Sequence, residues 1–574
     1  MQAAEAATPS WRRSAVLSSA AALSLYLAFP PLALWWCGFL APMFLLLAVR
    51  AAPSWRSCAL IVGLTHMPLF AVLQWWIIDV SALGLPAFIV YLSVCWSILA
   101  LLLRALDRSV PACCLRATIV LPLGYLTSEF LRGDLVCGGY PWFFAGHPLI
   151  ASTMLSQCAD LFGAATLTIF VGVMAGSVVD ALTASRAGNI RGLLLAGFVS
   201  IATFLLTFGY GLARLGQYPL ATPSDASSVL IVQTSVPTSN KIAWTPQAQV
   251  DDTQRSMQLT LAGIRDARQA GESPVLAVWP ETMLPGFGLE PDAIRCLTES
   301  GAWPGSRFSN AATDVVRATG VPLMLGSAAY LGLRIEGEGN DRRFAWDEQF
   351  NSVYLVEGNA PFARYDKIFL TPFGERMPVI SSWPWLESKL LALGADGMTF
   401  DLDAGTAYTR FAVQTKGGAP LRIATPICFE DSVGWVCRRM IFGDDDSTPW
   451  DRSRHADLLI TPSNDGWFGD SASSRAHHFD FARLRAIEFR TPVLRCVNTG
   501  FSAWTDEAGR VRATVGAAPR GEVDLEGTLI AKVQPLSEVP LAARVADLPS
   551  WGSLLLCAGL LFRYWRRTKH TPAL

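Results

Sequence analysis

The chain has 574 residues, 51% of them hydrophobic and 16% charged, with a formal net charge of -1. Such an apolar surplus excludes a disordered chain and an ordinary soluble multidomain enzyme, and the charge balance, with no basic stripe, argues against a nucleic-acid partner. Charge is also unevenly spread: of the 46 basic and 47 acidic residues, only 14 in total lie between Ser14 and Ala213.

Taken in chain order, apolar runs long enough to cross about 30 Å of hydrocarbon stand near 14–32, 33–49, 57–78, 82–103, 115–131, 160–182 and 192–213, and a last one near 549–564. Pro30-Pro31 predicts a tight turn between the first two. An N-terminus in the cytoplasm puts Arg12, Arg13, Arg50, Arg56, Arg104, Arg108, Arg116, Arg186 and Arg191 in cytoplasmic loops, along with the tail Arg563, Arg566, Arg567 and Lys569. The short outer loops then hold Arg132. This predicts a membrane domain of about seven helices over 1–213, an external polar domain over 214–548, and a final span with a cytoplasmic tail over 549–574. Asp79, Glu129, Arg132 and Asp134 mark the outer ends of spans. Each reads as a functional ionisable group, as an interfacial residue, or, for Glu129 and Arg132, as a local i,i+3 pair. Trp142, Phe143 and Phe144 suit an outward interfacial belt or simple core packing.

Beyond the seventh span, β-rich runs alternate with helical ones. Ser228–Val232, Val275–Val278, Pro322–Leu325, Leu421–Ala424, Asp457–Ile460 and Val493–Val497 read as strands, and 251–271 and 475–490 as helices, giving an α/β layered domain. Several strands end in reactive residues. Trp279-Pro280-Glu281 closes one, Pro426-Ile427-Cys428-Phe429-Glu430 another, and Ser463-Asn464-Asp465-Gly466-Trp467-Phe468-Gly469 a third. Tyr365-Asp366-Lys367 leads into Pro372-Phe373-Gly374-Glu375. A thiol becomes a nucleophile when a base takes its proton, and an oxyanion needs a positive donor. Cys428, Glu281 and Lys367 supply those three roles if they converge at one sheet edge. His455, His477 and His478 lack zinc-hydrolase spacing and read as a helix start. Asp444-Asp445-Asp446 lacks calcium-loop spacing.

In this order and context, Glu281, Lys367 and Cys428 resemble the carbon–nitrogen hydrolase (nitrilase) superfamily. The membrane half narrows the likeness to the apolipoprotein N-acyltransferase family, through Ser128-Glu129-Phe130-Leu131-Arg132-Gly133 and Gly139-Tyr140-Pro141-Trp142. Arg485-Ala486-Ile487-Glu488 and Asn498-Thr499-Gly500 fit as well. The resemblance implies a multi-pass helical membrane domain plus an α-β-β-α sandwich, in a bacterial inner membrane with the catalytic domain in the periplasm. It implies a monomer without cofactor or metal. The acyl donor would be a glycerophospholipid and the acceptor the N-terminal amine of a diacylglyceryl-cysteine apolipoprotein, joined through a cysteine thioester. Cys428 then matches the nucleophile, Glu281 the general base and Lys367 the oxyanion donor. Glu375 and Glu430 match supporting acids, and Trp244, in Lys241-Ile242-Ala243-Trp244, an aromatic residue at the entrance. Phe429 stands where the family usually has tyrosine. The alternatives are a membrane-tethered amidase using water as acceptor and a lipid-binding scaffold without catalysis. The external cysteines Cys296, Cys437 and Cys496 leave a disulfide open.

Overall fold

The computed structural model describes residues 9–570 apart from 83, 112, 221–225, 238–243, 338–340, 359–360, 373, 377–401, 416, 444–447 and 519–520. The chain divides into two compact units, one formed by Met1–Tyr218, Asp470–Asp480 and Pro540–Leu574, the other by Pro219–Gly469 and Phe481–Val539.

All eight apolar runs of the first unit are helical. They form Trp11–Ala28, a short turn Trp35–Phe39 continuing into Leu40–Ala51, Trp55–Leu73, Gly84–Ser109, Arg116–Phe130, Ala164–Arg186, Ile190–Gln217 and Leu548–His570. Among the described residues, Trp55–Leu73, Gly84–Ser109, Ala164–Arg186 and Ile190–Gln217 are each long and apolar enough to cross a membrane. Arg116–Phe130 and Ala164–Arg186 approach closely along their backbones. A side chain at Gly176 would stand 2.5 Å from the Ala117 carbonyl oxygen, and one at Gly172 would stand 2.8 Å from Pro122 backbone. Small residues four apart let two helices touch. One turn later, Asp180 accepts the Ala117 and Thr118 N–H groups, both at 2.9 Å. These are donors that a helix start leaves without an intrahelical partner.

The basic helix ends gather at one end of this unit. The Ser10 N–H donates to the Ala51 carbonyl at 2.9 Å, Arg50 pairs with Asp107 at 2.7 Å, and Arg104 donates to the carbonyls of Val49 and Ala52 at 3.0 and 2.9 Å. Thr127 meets both Ser553 and Cys557, and Cys557 meets the Leu123 carbonyl. The last helix is therefore antiparallel to Arg116–Phe130, and Arg563, Arg566 and Arg567 run toward the Arg116 end.

Of the ionisable residues at the other ends, Asp79 is exposed, as an interfacial residue would be. Glu129 and Arg132 do not pair with each other. Glu129 accepts the Ala145 N–H at 2.6 Å and the Thr168 hydroxyl at 2.7 Å. Arg132 donates to the Tyr140 carbonyl at 2.7 Å and lies between the rings of Trp96 and Phe144. The outward-belt reading of Trp142 and Phe143 is overturned, because both are buried. They close around His477, with ring centroids at 4.8 and 5.1 Å.

The second unit is a sandwich of two six-stranded sheets. Its strands are β1 (Ser227–Gln233), β2 (Pro274–Val278), β3 (Leu323–Leu331), β4 (Arg334–Glu336), β5 (Arg343–Ala345), β6 (Glu348–Val356), β7 (Ala363–Asp366), β8 (Phe411–Val413), β9 (Leu421–Ala424), β10 (Leu458–Ser463), β11 (Val493–Val497), β12 (Ala503–Thr505), β13 (Val511–Thr514) and β14 (Gly527–Val533). One sheet runs β14-β1-β2-β3-β6-β7, the other β13-β12-β11-β10-β9-β8, and β4-β5 is a separate ribbon. Each large sheet has a parallel centre, β1-β2-β3 or β9-β10-β11, flanked by antiparallel strands. Central strands covered on both faces read as continuous apolar runs, and β1 is buried along its whole length. The sheets stack where Cys496 of β11 lies 3.4 Å from the Val232 carbonyl and 3.3 Å from that of Val278. The helices Pro246–Gln269 and Arg307–Thr319 pack against the first sheet. Their core centres on Ile264, Trp279, Phe308 and Val315. The α-β-β-α architecture is the one expected.

Candidate active site

Parallel strands point their carboxyl ends the same way, and residues there are held by rigid neighbours and face an open crevice. Glu281 follows β2 and Cys428 follows β9. Strand β6 is antiparallel to β3, and β7 antiparallel to β6. Hence β7 runs with β3, and Lys367, just past its end, joins the same edge. Cys428 begins a tight turn, Cys428–Ser432, with φ of 51°. That left-handed conformation is unusual for a residue with a side chain and gathers at functional sites. Thr282, after Glu281, has the same φ of 51°.

The side chains meet through buried hydrogen bonds. Glu281 accepts the Asn351 side-chain amide at 2.7 Å and the Asn464 backbone N–H at 2.9 Å. Asn351 also donates to Glu375 at 3.1 Å. Lys367 pairs with Glu375 at 2.7 Å, reaches the Thr371 hydroxyl at 3.3 Å and stands 4.0 Å from Glu281. Glu375 folds back to accept the Thr371 N–H at 2.8 Å. Glu430 accepts the N–H groups of Ile368, Phe369 and Ile427 at 2.8, 2.9 and 2.8 Å. It thereby ties the backbone after Lys367 to the backbone entering Cys428.

Burial raises the pKa of Glu281 and Glu375 adds to it, while Lys367, Asn351 and the Cys428 thiol pull it down. Burial also pushes Cys428 well above the ordinary thiol range, and the Glu281 charge adds to that, against Lys367 and the Ser463 hydroxyl. Burial works to lower the pKa of Lys367, but Glu375, Glu281 and Cys428 outweigh it and raise it. For Glu375 burial works upward, yet the Lys367 charge and the bonds from Thr371 and Asn351 prevail, so its pKa is lowered.

Phe429 is buried, its ring stacked on Phe369 with centroids 6.1 Å apart, and Phe369 meets Trp435 edge-on at 5.8 Å. Trp244 sits just ahead of the helix Pro246–Gln269 and donates its indole N–H to Asp252 at 2.8 Å. Lys241, Ile242 and Ala243, Phe373 and Asp444-Asp445-Asp446 lie outside the described residues. The described cysteines are free thiols, Cys296, Cys437 and Cys496 included. Among the described residues no cluster of His, Cys, Asp or Glu is arranged to hold a metal.

Asn351 escaped the sequence reading. Its signal was an amide inside the otherwise strand-forming run Phe350–Val356, where asparagine is depleted.

Residues 21–177 match the family model described as the apolipoprotein N-acyltransferase N-terminal domain, and 241–538 match that of carbon–nitrogen hydrolase. An apolipoprotein N-acyltransferase of Agrobacterium fabrum is 30% identical over 78% of this chain and 73% of its own. One from Sinorhizobium medicae is 27% identical over 82% of this chain and 77% of its own. Among solved structures, a Nesterenkonia amidase from the nitrilase superfamily aligns with a TM-score of 0.32 and 14% identity, over 56% of this chain and 95% of that one. The chain belongs to the carbon–nitrogen hydrolases and, within them, to the apolipoprotein N-acyltransferase family.

Proposed function

We propose that this protein transfers an acyl chain from a glycerophospholipid to the N-terminal amine of a diacylglyceryl-cysteine apolipoprotein, with Cys428, Glu281 and Lys367 as nucleophile, base and oxyanion donor. The observation that carries the reading is the meeting of these three side chains, from the ends of three different strands, in a chain whose first half is a helical, apolar unit. Its relatives bear the name of this N-acylation.

Glu281 takes the thiol proton, and the thiolate attacks an ester carbonyl of the phospholipid, at the sn-1 position. An ammonium has three N–H donors. Glu375 and Thr371 occupy two of those on Lys367, and the third serves the oxyanion together with the Phe429 backbone N–H. Collapse expels the lysophospholipid alkoxide, which receives the proton from Glu281 and leaves an acyl thioester on Cys428. The lipoprotein α-amine then attacks that thioester. Glu281 accepts the amine proton and returns it to the departing Cys428 sulfur. With the basic end of the first unit in the cytoplasm, the polar domain is periplasmic in the inner membrane. Both substrates are lipid-anchored in the facing leaflet, so their acyl chains stay in apolar surroundings.

The purified protein should gain one acyl mass on Cys428 when incubated with phospholipid, and Cys428→Ala should gain none. Release of free fatty acid without accumulation of the adduct, and without transfer to an amine acceptor, would favour the water-using amidase instead.

A further inference from the structure

A second buried ionic cluster adjoins the triad. Arg495, in the middle of β11, donates to Asp431 at 3.2 Å and to the two oxygens of Asp465 at 3.2 and 3.0 Å. None of the three side chains is more than 1% exposed. Burying three charges that sum to a negative one is a poor route to stability, since apolar side chains of similar volume often do as well. Their positions say more. Asp431 lies within the turn Cys428–Ser432 that begins with the nucleophile. Asp465 opens the turn Asp465–Phe468, immediately after Asn464, whose N–H holds Glu281. Ser463 donates to Asp465 at 2.9 Å, and a side chain at Gly500 would stand 2.3 Å from an Asp465 oxygen. The Asp465 carboxylate therefore has one place to be. A guanidinium suits such a bridge because its planar fork aims separate N–H groups at two carboxylates at fixed angles.

We infer that Arg495 is a positioning residue for acyl transfer: its guanidinium locks the turn bearing Cys428 to the turn whose Asn464 N–H holds Glu281, and so sets the distance between nucleophile and base. The inference rests on the roles proposed above for Cys428 and Glu281. It also gives the cluster an electrostatic consequence. The negative charge of Asp465 opposes ionisation of Cys428, and Arg495 answers that charge at close range.

The test uses the full-length protein in detergent, with Arg495→Lys and Asp431→Asn. Iodoacetamide alkylation of Cys428, followed by peptide mapping across a pH series, is read beside thermal melts and acylation kinetics. For Arg495→Lys, alkylation at neutral pH should fall about tenfold, equivalent to a thiol profile moved up by about one pH unit. Its acylation kcat should fall while KM for phospholipid is unchanged. A lowered melting temperature with an unmoved alkylation profile and kcat would reduce Arg495 to a structural residue and overturn the inference. If Arg495→Lys does not fold, Asp431→Asn carries the test, since it keeps the Arg495–Asp465 pair. A kcat reduced several-fold at constant KM supports the inference, and an unchanged kcat overturns it. Alkylation needs no lipid chemistry. A wild-type enzyme that forms no acyl adduct would thus refute the proposed function while leaving the Arg495 result readable.

Discussion

Tyr365 donates its hydroxyl to both oxygens of Glu430, at 2.9 and 3.0 Å. The same carboxylate holds the backbone on either side of the site, so a single side chain fixes where Lys367 and Cys428 stand. Burial pushes its pKa up to about 7 despite those donors. Two consequences follow for Glu430→Gln. Above about pH 7, where the carboxyl is ionised, it turns an all-acceptor group into one that points N–H donors at N–H donors, and each hydrogen bond to a charged group is worth about 1.5–3 kcal/mol. The variant should melt well below wild type. The folded pKa exceeds the unfolded value, so the folded state keeps a proton that the unfolded state has released. Relative to Glu430→Gln, wild type should therefore lose stability as pH rises through the interval from 4.5 to about 7. Melts across that interval would show the opposite slope if the carboxyl were depressed.

Removing the base and removing the ammonium should fail differently. With Glu281 raised by burial, the acid limb of wild-type acylation should lie above the ordinary carboxylate range. Glu281→Gln leaves a thiol with no acceptor for its proton. Its rate should be very low at neutral pH and recover toward alkaline pH. Lys367→Ala removes the proposed oxyanion donor, a kind of group typically worth about 2.7–4 kcal/mol, and strips Glu375 of its ammonium partner. Alkali should not restore that loss. Equal rescue of both variants in single-turnover acylation would mean the roles are misassigned.

Phe429 stands where the resemblance leads one to expect a tyrosine, and its ring is buried against Phe369. Phe429→Tyr should transfer acyl chains at close to the wild-type rate. Phe429→Ala should cost about 3–5 kcal/mol of stability and raise the ratio of free fatty acid to acylated lipoprotein, because water reaches the thioester. An unchanged ratio would remove the ring from the reaction.

In the helical unit, Gly176→Ala forces a methyl group onto the Ala117–Thr118 backbone, which has no flexible end to yield. Overpacking of this kind costs about 1–3 kcal/mol. The detergent-solubilised variant should melt lower, whereas Gly197→Ala, with open space at that position, should not. Comparable melts for the two would contradict the close approach.

The proposed orientation is testable with the native thiols. Cys113 and Cys114 are exposed near the basic end of the helical unit, and Cys296 is half-buried in the sheet unit. A membrane-impermeant maleimide applied to intact spheroplasts should label Cys296 and spare Cys113 and Cys114 until lysis. The reverse pattern would invert the topology.

Much of this was legible because the physics is local. A strand buried on both faces must be apolar, and a reactive residue just past its end stands out, as Glu281 and Cys428 do. Strand β6 was harder. Gln349, Asn351 and Ser352 are buried polar residues whose side-chain partners, Tyr330, Glu281 and Asp366, are distant in sequence. Nothing nearby announces that they will be satisfied. Strand β14 joins the first sheet beside β1, a pairing across nearly the whole domain that no local pattern encodes. Asp470–Asp480 groups with the helical unit although it is polar in composition. Its buried members include Ser474, His477 and Asp480, none of which signals an apolar environment.

That last segment bears on how such a protein can be divided. The helix Ala472–Phe489 starts in one unit and ends in the other, so no pair of cuts frees the sheet unit without part of the helical one. The segment 219–539 taken alone would carry His477 without Phe29, Trp142 and Phe143, the rings that cover it.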